Sequence, residues 1–244
     1  GFAMKLIADI IAGIEGDAPV KEVRIGPFWT GVESRYCGLA TTTYTHDPLG
    51  PYPVSESGFL TEKSGLELCQ YAFSDSLLEA SVGLATINSM LDVDMDHCKD
   101  INAGQVLEEE GAGKKVVVVG HFPFVEKLKA IAGRLWVLER RPQSGDLPAD
   151  QAERVIPQAD VVAITGTALI NGTMEGLLKL CRPDSLVMVL GPTTPLTPLW
   201  FDYGVDIVSG TRVVDPAKVL RFVSQGIVFK QLRGRGVRLL SMAR

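Results

Sequence analysis

The stretch Lys115-Val-Val-Val-Val-Gly120-His121-Phe122-Pro123 decides the fold. Four consecutive valines between lysines and Gly-His-Phe-Pro read as a strand buried on both faces, the pattern of a parallel sheet covered by helices. The chain turns at Gly120. Pro123 suits a first helical position, so residues 123–132 are expected as a short amphipathic helix. Ligands of open α/β sheets bind beyond the carboxyl ends of the strands, which makes Gly120 and His121 the first functional candidates.

Working outward, strand and helix alternate. Strands are expected at 135–138, 160–164, 185–190 and 205–209, with helices at 149–156, 173–181 and 215–225 between and after them. Repeated βα units of this length predict a doubly wound, Rossmann-like parallel sheet with helices on both faces. Upstream the pattern differs. A helix over 4–14 precedes strands at 20–25 and within 32–45. A turn-rich segment at 46–53 and helices at 64–73 and 75–91 follow. That order predicts a smaller α+β unit. A helix at 103–111 and the glycines of Gly111-Ala-Gly113 bridge the units, placing the domains at 1–105 and 106–244.

The chain has 244 residues, 46% hydrophobic and 22% charged, with ample material for a core. Its net charge of −5 argues against a nucleic-acid partner, which requires a clustered basic face. The one basic cluster, 230–238, reads as a solvated tail or final strand. No apolar run is long enough to span a membrane. Cys37, Cys69, Cys98 and Cys181 lack CxxC spacing, which predicts thiols in a reducing cytoplasm. A homodimer is the base-rate assembly.

The strands of the second unit end in small or polar residues that would converge on one edge. These are Gly120-His121-Phe122, Glu139-Arg140-Arg141, Thr165-Gly166-Thr167 with Asn171-Gly172-Thr173, Gly191-Pro192-Thr193, and Ser209-Gly210-Thr211. Glu139 follows Gly120 by 19 residues, close to the roughly 20 at which a Rossmann acid grips ribose hydroxyls. The turn after the valine strand lacks GxGxxG, and Pro123 removes an N–H, so ordinary NAD or FAD binding is disfavoured. Asn171 to Glu175 offers an N-cap and free N–H groups at a helix start, a candidate anion site. Asn88 falls on the Leu77-Leu84-Leu91 stripe of its helix, where it is either a satisfied structural amide or faces a polar cleft. His121 is either a hydrogen-bonded structural residue or, from its place at the strand end, an acid/base group or metal ligand. Asp92-Val-Asp94-Met-Asp96-His97 fails the calcium-loop pattern and reads as solvated acids.

Three runs then carry a resemblance: VVVVGHFPFVEKL, ERRPQSGDLPADQAERVIPQADVVAITGTALINGT and VLGPTTPLTPLWFDYGVDIVSGTRVVD. Over residues 106–226 the chain resembles a family of unknown function for which heavy-metal chelation has been suggested. Its TTTY stretch and Ala85-Thr-Ile-Asn88 helix resemble the enolase N-terminal-like domain found upstream in that family. The resemblance implies a ligand site between the domains. Gly120, His121, Glu139, Gly145, Asp146, Thr165, Gly166, Thr167, Asn171, Gly172, Thr173, Gly191 and Pro192 would line or shape it.

Two functions compete on these grounds, with a non-catalytic binding or scaffold protein as a third reading. One is a protein handling a divalent transition metal or metallo-cofactor, with His121 as ligand or proton shuttle and Glu139 and Asp146 assisting. Imidazole and carboxylate donors suit nickel, cobalt, iron or zinc. The other is an enzyme binding S-adenosylmethionine or another nucleoside-containing ligand, with Glu139 on the ribose.

Overall fold

The computed structural model describes residues 4–44 and 53–244, so the turn-rich reading of 46–52 lies outside the described residues. Helix α1 (Lys5–Ala12) buries Leu6, Ile7 and Ile10 on one face. Strands β1 (Glu22–Ile25), β2 (Trp29–Glu33) and β3 (Cys37–Thr41) form an antiparallel sheet in chain order. Helix α2 (Gly65–Cys69) opens with a capping box between Ser64 and Glu67. Helix α3 (Leu77–Met90) is enclosed almost all round, because it lies between α2 and the strands β2 and β3. The leucine stripe of the sequence is one side of a helix with no solvent side.

The second unit runs α4 (Ala103–Gly111), β4 (Lys115–Val119), α5 (Val125–Ile131), β5 (Arg134–Glu139), β6 (Leu147–Pro148) and α6 (Ala152–Val155). It continues with β7 (Val161–Thr165), α7 (Met174–Leu180), β8 (Leu186–Leu190), β9 (Ile207–Val213), α8 (Pro216–Ser224), α9 (Phe229–Leu232) and β10 (Val237–Ala243). These strands make one sheet in the order β10-β9-β8-β7-β4-β5-β6, parallel except for β10. Counted along the chain, the six parallel strands stand in the order 3-2-1-4-5-6. The order reverses between β4 and β7, the topological switch point.

The valine run works as its pattern requires. Val116 and Val118 pack with Leu107, Val125 and Leu128 under α4 and α5. Val117 faces the opposite side, in a cluster with Val162, Ile164 and Val187. That second cluster does not stop at residue 105. It continues through Trp200 and Val205 into Leu6 and Ile10 of α1 and Leu84 of α3, so the two sheets share a core.

One element departs from its expected place. Residues 216–224 are helical, but α8 does not close the parallel sheet. It lies across β1 and β2 and delivers Val219, Leu220 and Val223 to Leu39 and Cys37. The small sheet has two faces; α3 covers one, and α8 covers the other. The basic stretch 230–238 divides into the end of α9, a turn and the start of β10, and β10 pairs with β9 along its whole length. Among the described residues no helix is long and apolar enough to cross a membrane.

Candidate functional site

A cleft of about 1340 Å³ follows the carboxyl ends of β4, β5, β7 and β8 and the middle of β9. Ser209, Gly210 and Thr211 are not a strand end as expected, because β9 runs on to Val213 in its pairing with β10. Trp29 and Thr41 of the small sheet, the start of α4, and α9 supply its other walls. Of the residues singled out in the sequence, Gly120, His121, Phe122, Glu139, Thr165, Thr167, Asn171, Thr173, Gly191, Pro192 and Thr193 line it. Asn88, Gly145, Asp146, Gly166 and Gly172 stand behind or beside that lining.

His121 follows the switch-point strand directly. Its Nε2 lies 2.5 Å from Asp146 Oδ2, and the Gln143 N–H donates to the same oxygen at 2.9 Å. The Asp146 side chain is 2% exposed and the imidazole 36%. A carboxylate accepting from Nε2–H leaves Nδ1 with the free lone pair, so Asp146 sets both the tautomer and the ring orientation. Gly145 turns the loop that carries Asp146, at φ 89°. Glu139 ends β5, beside Gly120 at the end of β4, and both face the cleft.

A hydroxyl seam joins the two sheets beneath the cleft. Thr41 Oγ1 lies 3.1 Å from both Thr167 Oγ1 and Thr193 Oγ1, and the Thr41 N–H donates to Thr193 Oγ1 at 2.9 Å. Asn88 completes this seam, its Nδ2 donating to the carbonyls of Leu39 and Thr193, each at 2.9 Å. Its amide hydrogens are therefore committed to holding α3, β3 and the loop after β8 together. The polar residue on the helix stripe is a satisfied bridge between the units.

The anion site expected at Asn171 to Glu175 takes a different form. Asn171 Oδ1 accepts from both the N–H (3.2 Å) and the hydroxyl (2.5 Å) of Thr173, whose N–H also reaches Ala168 O at 3.0 Å. Helix α7 has seven residues and no side-chain cap at Thr173. The turn thus uses the Thr173 N–H and hydroxyl internally, with Gly172 at positive φ within it. Gly166 lies against Thr194 in the seam.

Trp29, Phe124, Phe229, Lys230 and Arg233 line the cleft without having been singled out in the sequence as site residues. Phe122 and Phe124 stack with centroids 5.0 Å apart. Trp29 and Phe229 meet at 5.7 Å across the small sheet and α9. Lys230 and Arg233, from the basic cluster, also line the cleft, as does Arg140. The tertiary fold alone brings these distant segments together. Thr41 belongs to the TTTY stretch, which together with Asn88 was where the sequence hinted at a contribution from the small unit.

The acidic stretch 92–97 disperses into local roles. Asp92 takes the Tyr36 hydroxyl, Asp94 caps the turn at Asp96, and His97 Nε2 meets Ala243 O. All four cysteines are free. Burial pushes the thiols of Cys37, Cys69 and Cys181 up to about 12, so they stay protonated at neutral pH and are poor soft-metal donors. Among the described residues no three His, Cys, Asp or Glu side chains gather as a closed metal set. The donors present fit a metal held at one point, through His121.

A family model described as "putative heavy-metal chelation" (DUF364) matches residues 102–241. The chain belongs to this family. A companion model of the same description (DUF4213) matches residues 7–91. A crystal structure of a family protein of unknown function from Desulfitobacterium hafniense DCB-2 is similar at 28% identity with TM-score 0.87, covering 100% of this chain and 99% of that one. A family member from Pyrococcus horikoshii shares the fold at 19% identity and TM-score 0.79, covering 100% of both chains. An uncharacterised protein of Methanocaldococcus jannaschii is 28% identical over 174 residues, 67% of each chain. The family's suggested chemistry thus meets a cleft with one oriented imidazole.

Proposed function

We propose that this chain binds an organic ligand in the cleft between its two sheets and handles a metal as a chelate of that ligand. His121 would be the protein's donor to the metal or its proton-transfer group. The observation that carries this reading is the His121–Asp146 pair. A buried carboxylate holds one ring nitrogen of a histidine that lines a cavity far larger than an ion, at the switch point of a doubly wound sheet. Metal-binding histidines are held in this way by a carboxylate behind them. Late first-row divalent ions suit an imidazole donor. The hydroxyls of Thr165 and Thr167 would orient polar groups of the ligand, and Glu139 would accept its hydroxyl or amine protons.

The test is calorimetric titration of metal-stripped protein with nickel, cobalt, iron and zinc, alone and with small chelators, beside His121→Ala. The expected result is binding of about one metal per chain that falls roughly 10–100-fold in the variant. Metal affinity indifferent to His121 would overturn the assignment.

One observation favours a second reading. The strand order 3-2-1-4-5-6 places Glu139 at the end of the second parallel strand, inside the cleft and next to Gly120, where dinucleotide folds hold ribose hydroxyls. A nucleoside-containing ligand such as S-adenosylmethionine would then occupy the β4–β5 end. Saturable binding of S-adenosylmethionine lost in Glu139→Ala would support it, and no heat of binding would remove it.

A further inference from the structure

The cleft has a second end, and its chemistry differs from that around His121. At the β9 side, Trp29 of β2 and Phe229 of α9 form an aromatic wall. Lys230 of α9 and Arg233, the residue that ends this helix, both line the cleft. Neither has an ion-pair or hydrogen-bond partner among the described residues. Two like charges lining one cleft repel each other modestly unless an anion lies between them.

We propose that the Trp29–Phe229–Lys230–Arg233 end is a subsite for a planar ring bearing a phosphate or carboxylate. The inference rests on reading the cleft as an organic-ligand site and names the class of ligand. The ring would lie against Trp29 and Phe229, whose faces favour flat groups. Its anion would take charge-assisted hydrogen bonds from Lys230 and Arg233, with Arg233 able to bind two oxygens at once. From β5 to β9 is four strand spacings, about 19 Å, so this subsite and the Glu139 end lie too far apart for one small group. An occupant touching both would be extended, with its anionic ring at α9, its middle near the end of β7 and its other end near His121 and Glu139.

The test uses the full chain and four simple probes: 1-naphthyl phosphate, 2-naphthoate, 2-naphthol and inorganic phosphate. Trp29 fluorescence reports on the site, because Trp200 and Trp136 are buried in the core, and Trp29→Phe identifies its signal. The expected result is saturable quenching by 1-naphthyl phosphate or 2-naphthoate that weakens as salt is raised. Lys230→Glu with Arg233→Glu should weaken it at least about tenfold. The order of the two anionic probes tells whether phosphate or carboxylate is preferred. The uncharged naphthol and the ringless phosphate should each bind far more weakly. Both reversed residues are exposed, so the variant should fold, and an unchanged circular dichroism spectrum verifies this. His121→Ala should leave naphthyl binding intact, which separates this proposal from the metal assignment. No saturable quenching up to about 10 mM, or quenching indifferent to the double reversal, overturns the subsite.

Discussion

The imidazole of His121 and the carboxylate of Asp146, 25 positions apart in the chain, meet at 2.5 Å with the carboxylate buried and the ring open to the cleft. Asp146 does not line the cleft; it acts through the histidine. Asp146→Asn keeps the shape but presents an amide in place of the acceptor pair that fixes Nε2–H. Metal affinity at His121 should drop roughly 10–100-fold. Calorimetric titration of the variant beside the parent chain checks this. A purely structural role for Asp146 would lower the melting temperature and leave affinity per folded molecule unchanged.

The seam between the sheets predicts a stability effect without a catalytic residue. Asn88→Ala removes two donors and leaves the Leu39 and Thr193 carbonyls short of partners. The expected loss is about 1–3 kcal/mol in urea unfolding. Because the seam ties α3 to the loop after β8, ligand binding in the cleft should weaken as well.

Two glycines on the cleft floor separate backbone strain from crowding. Gly120 has φ 112° and Gly191 φ 114°. A Cβ at Gly120 would also sit 3.1 Å from Thr165 Cβ and Cγ2, whereas at Gly191 nothing lies within 4 Å. Gly191→Ala should cost about 1–3 kcal/mol from strain alone. Gly120→Ala should cost more, and melting temperatures of the two variants provide the comparison.

The buried thiols predict a loss of stability in alkali. Burial raises Cys37 and Cys69 from 9.0 to about 12 in the folded chain. Below pH 9 both states hold the proton, and these groups give no pH dependence. Between pH 9 and 12 only the unfolded state releases it, so stability should fall by about 1.4 kcal/mol per pH unit for each thiol. Urea melts at pH 8, 9 and 10, with Cys37→Ala and Cys69→Ala flattening the slope, check this. Burial and Asp94 raise the Cys98 thiol too, but Cys98 is only half-buried and should be alkylated before the buried Cys37 or Cys69.

Most of the elements were legible in the sequence. The valine strand, the helix at 103–111 and the alternation through 205 follow from periodicity and from glycine and proline punctuation, which are local properties. The floor of the cleft was legible for the same reason: in a doubly wound sheet the ends of parallel strands must share one edge, so Gly120, Glu139, Thr165 and Gly191 converge once the strands are known. The closing helix was misplaced because its amphipathic pattern states that one face will be buried but not against which sheet.

The rest of the site belongs to tertiary structure. That Asp146 rather than Glu139 meets His121 depends on a loop path that local sequence preferences do not specify. That Asn88 is consumed as a bridge depends on carbonyls from two different units. The wall of Trp29 with Phe229, and the aim of Lys230 and Arg233 into the cleft, exist because α8 crosses to the small sheet and carries α9 with it. The sequence determined by itself which segments are strands and helices and which strand ends face a common edge, because those follow from short-range periodicity and chain connectivity. Only the folded chain decided which distant side chains meet across that edge, because contacts between residues far apart in the chain are set by how whole faces pack.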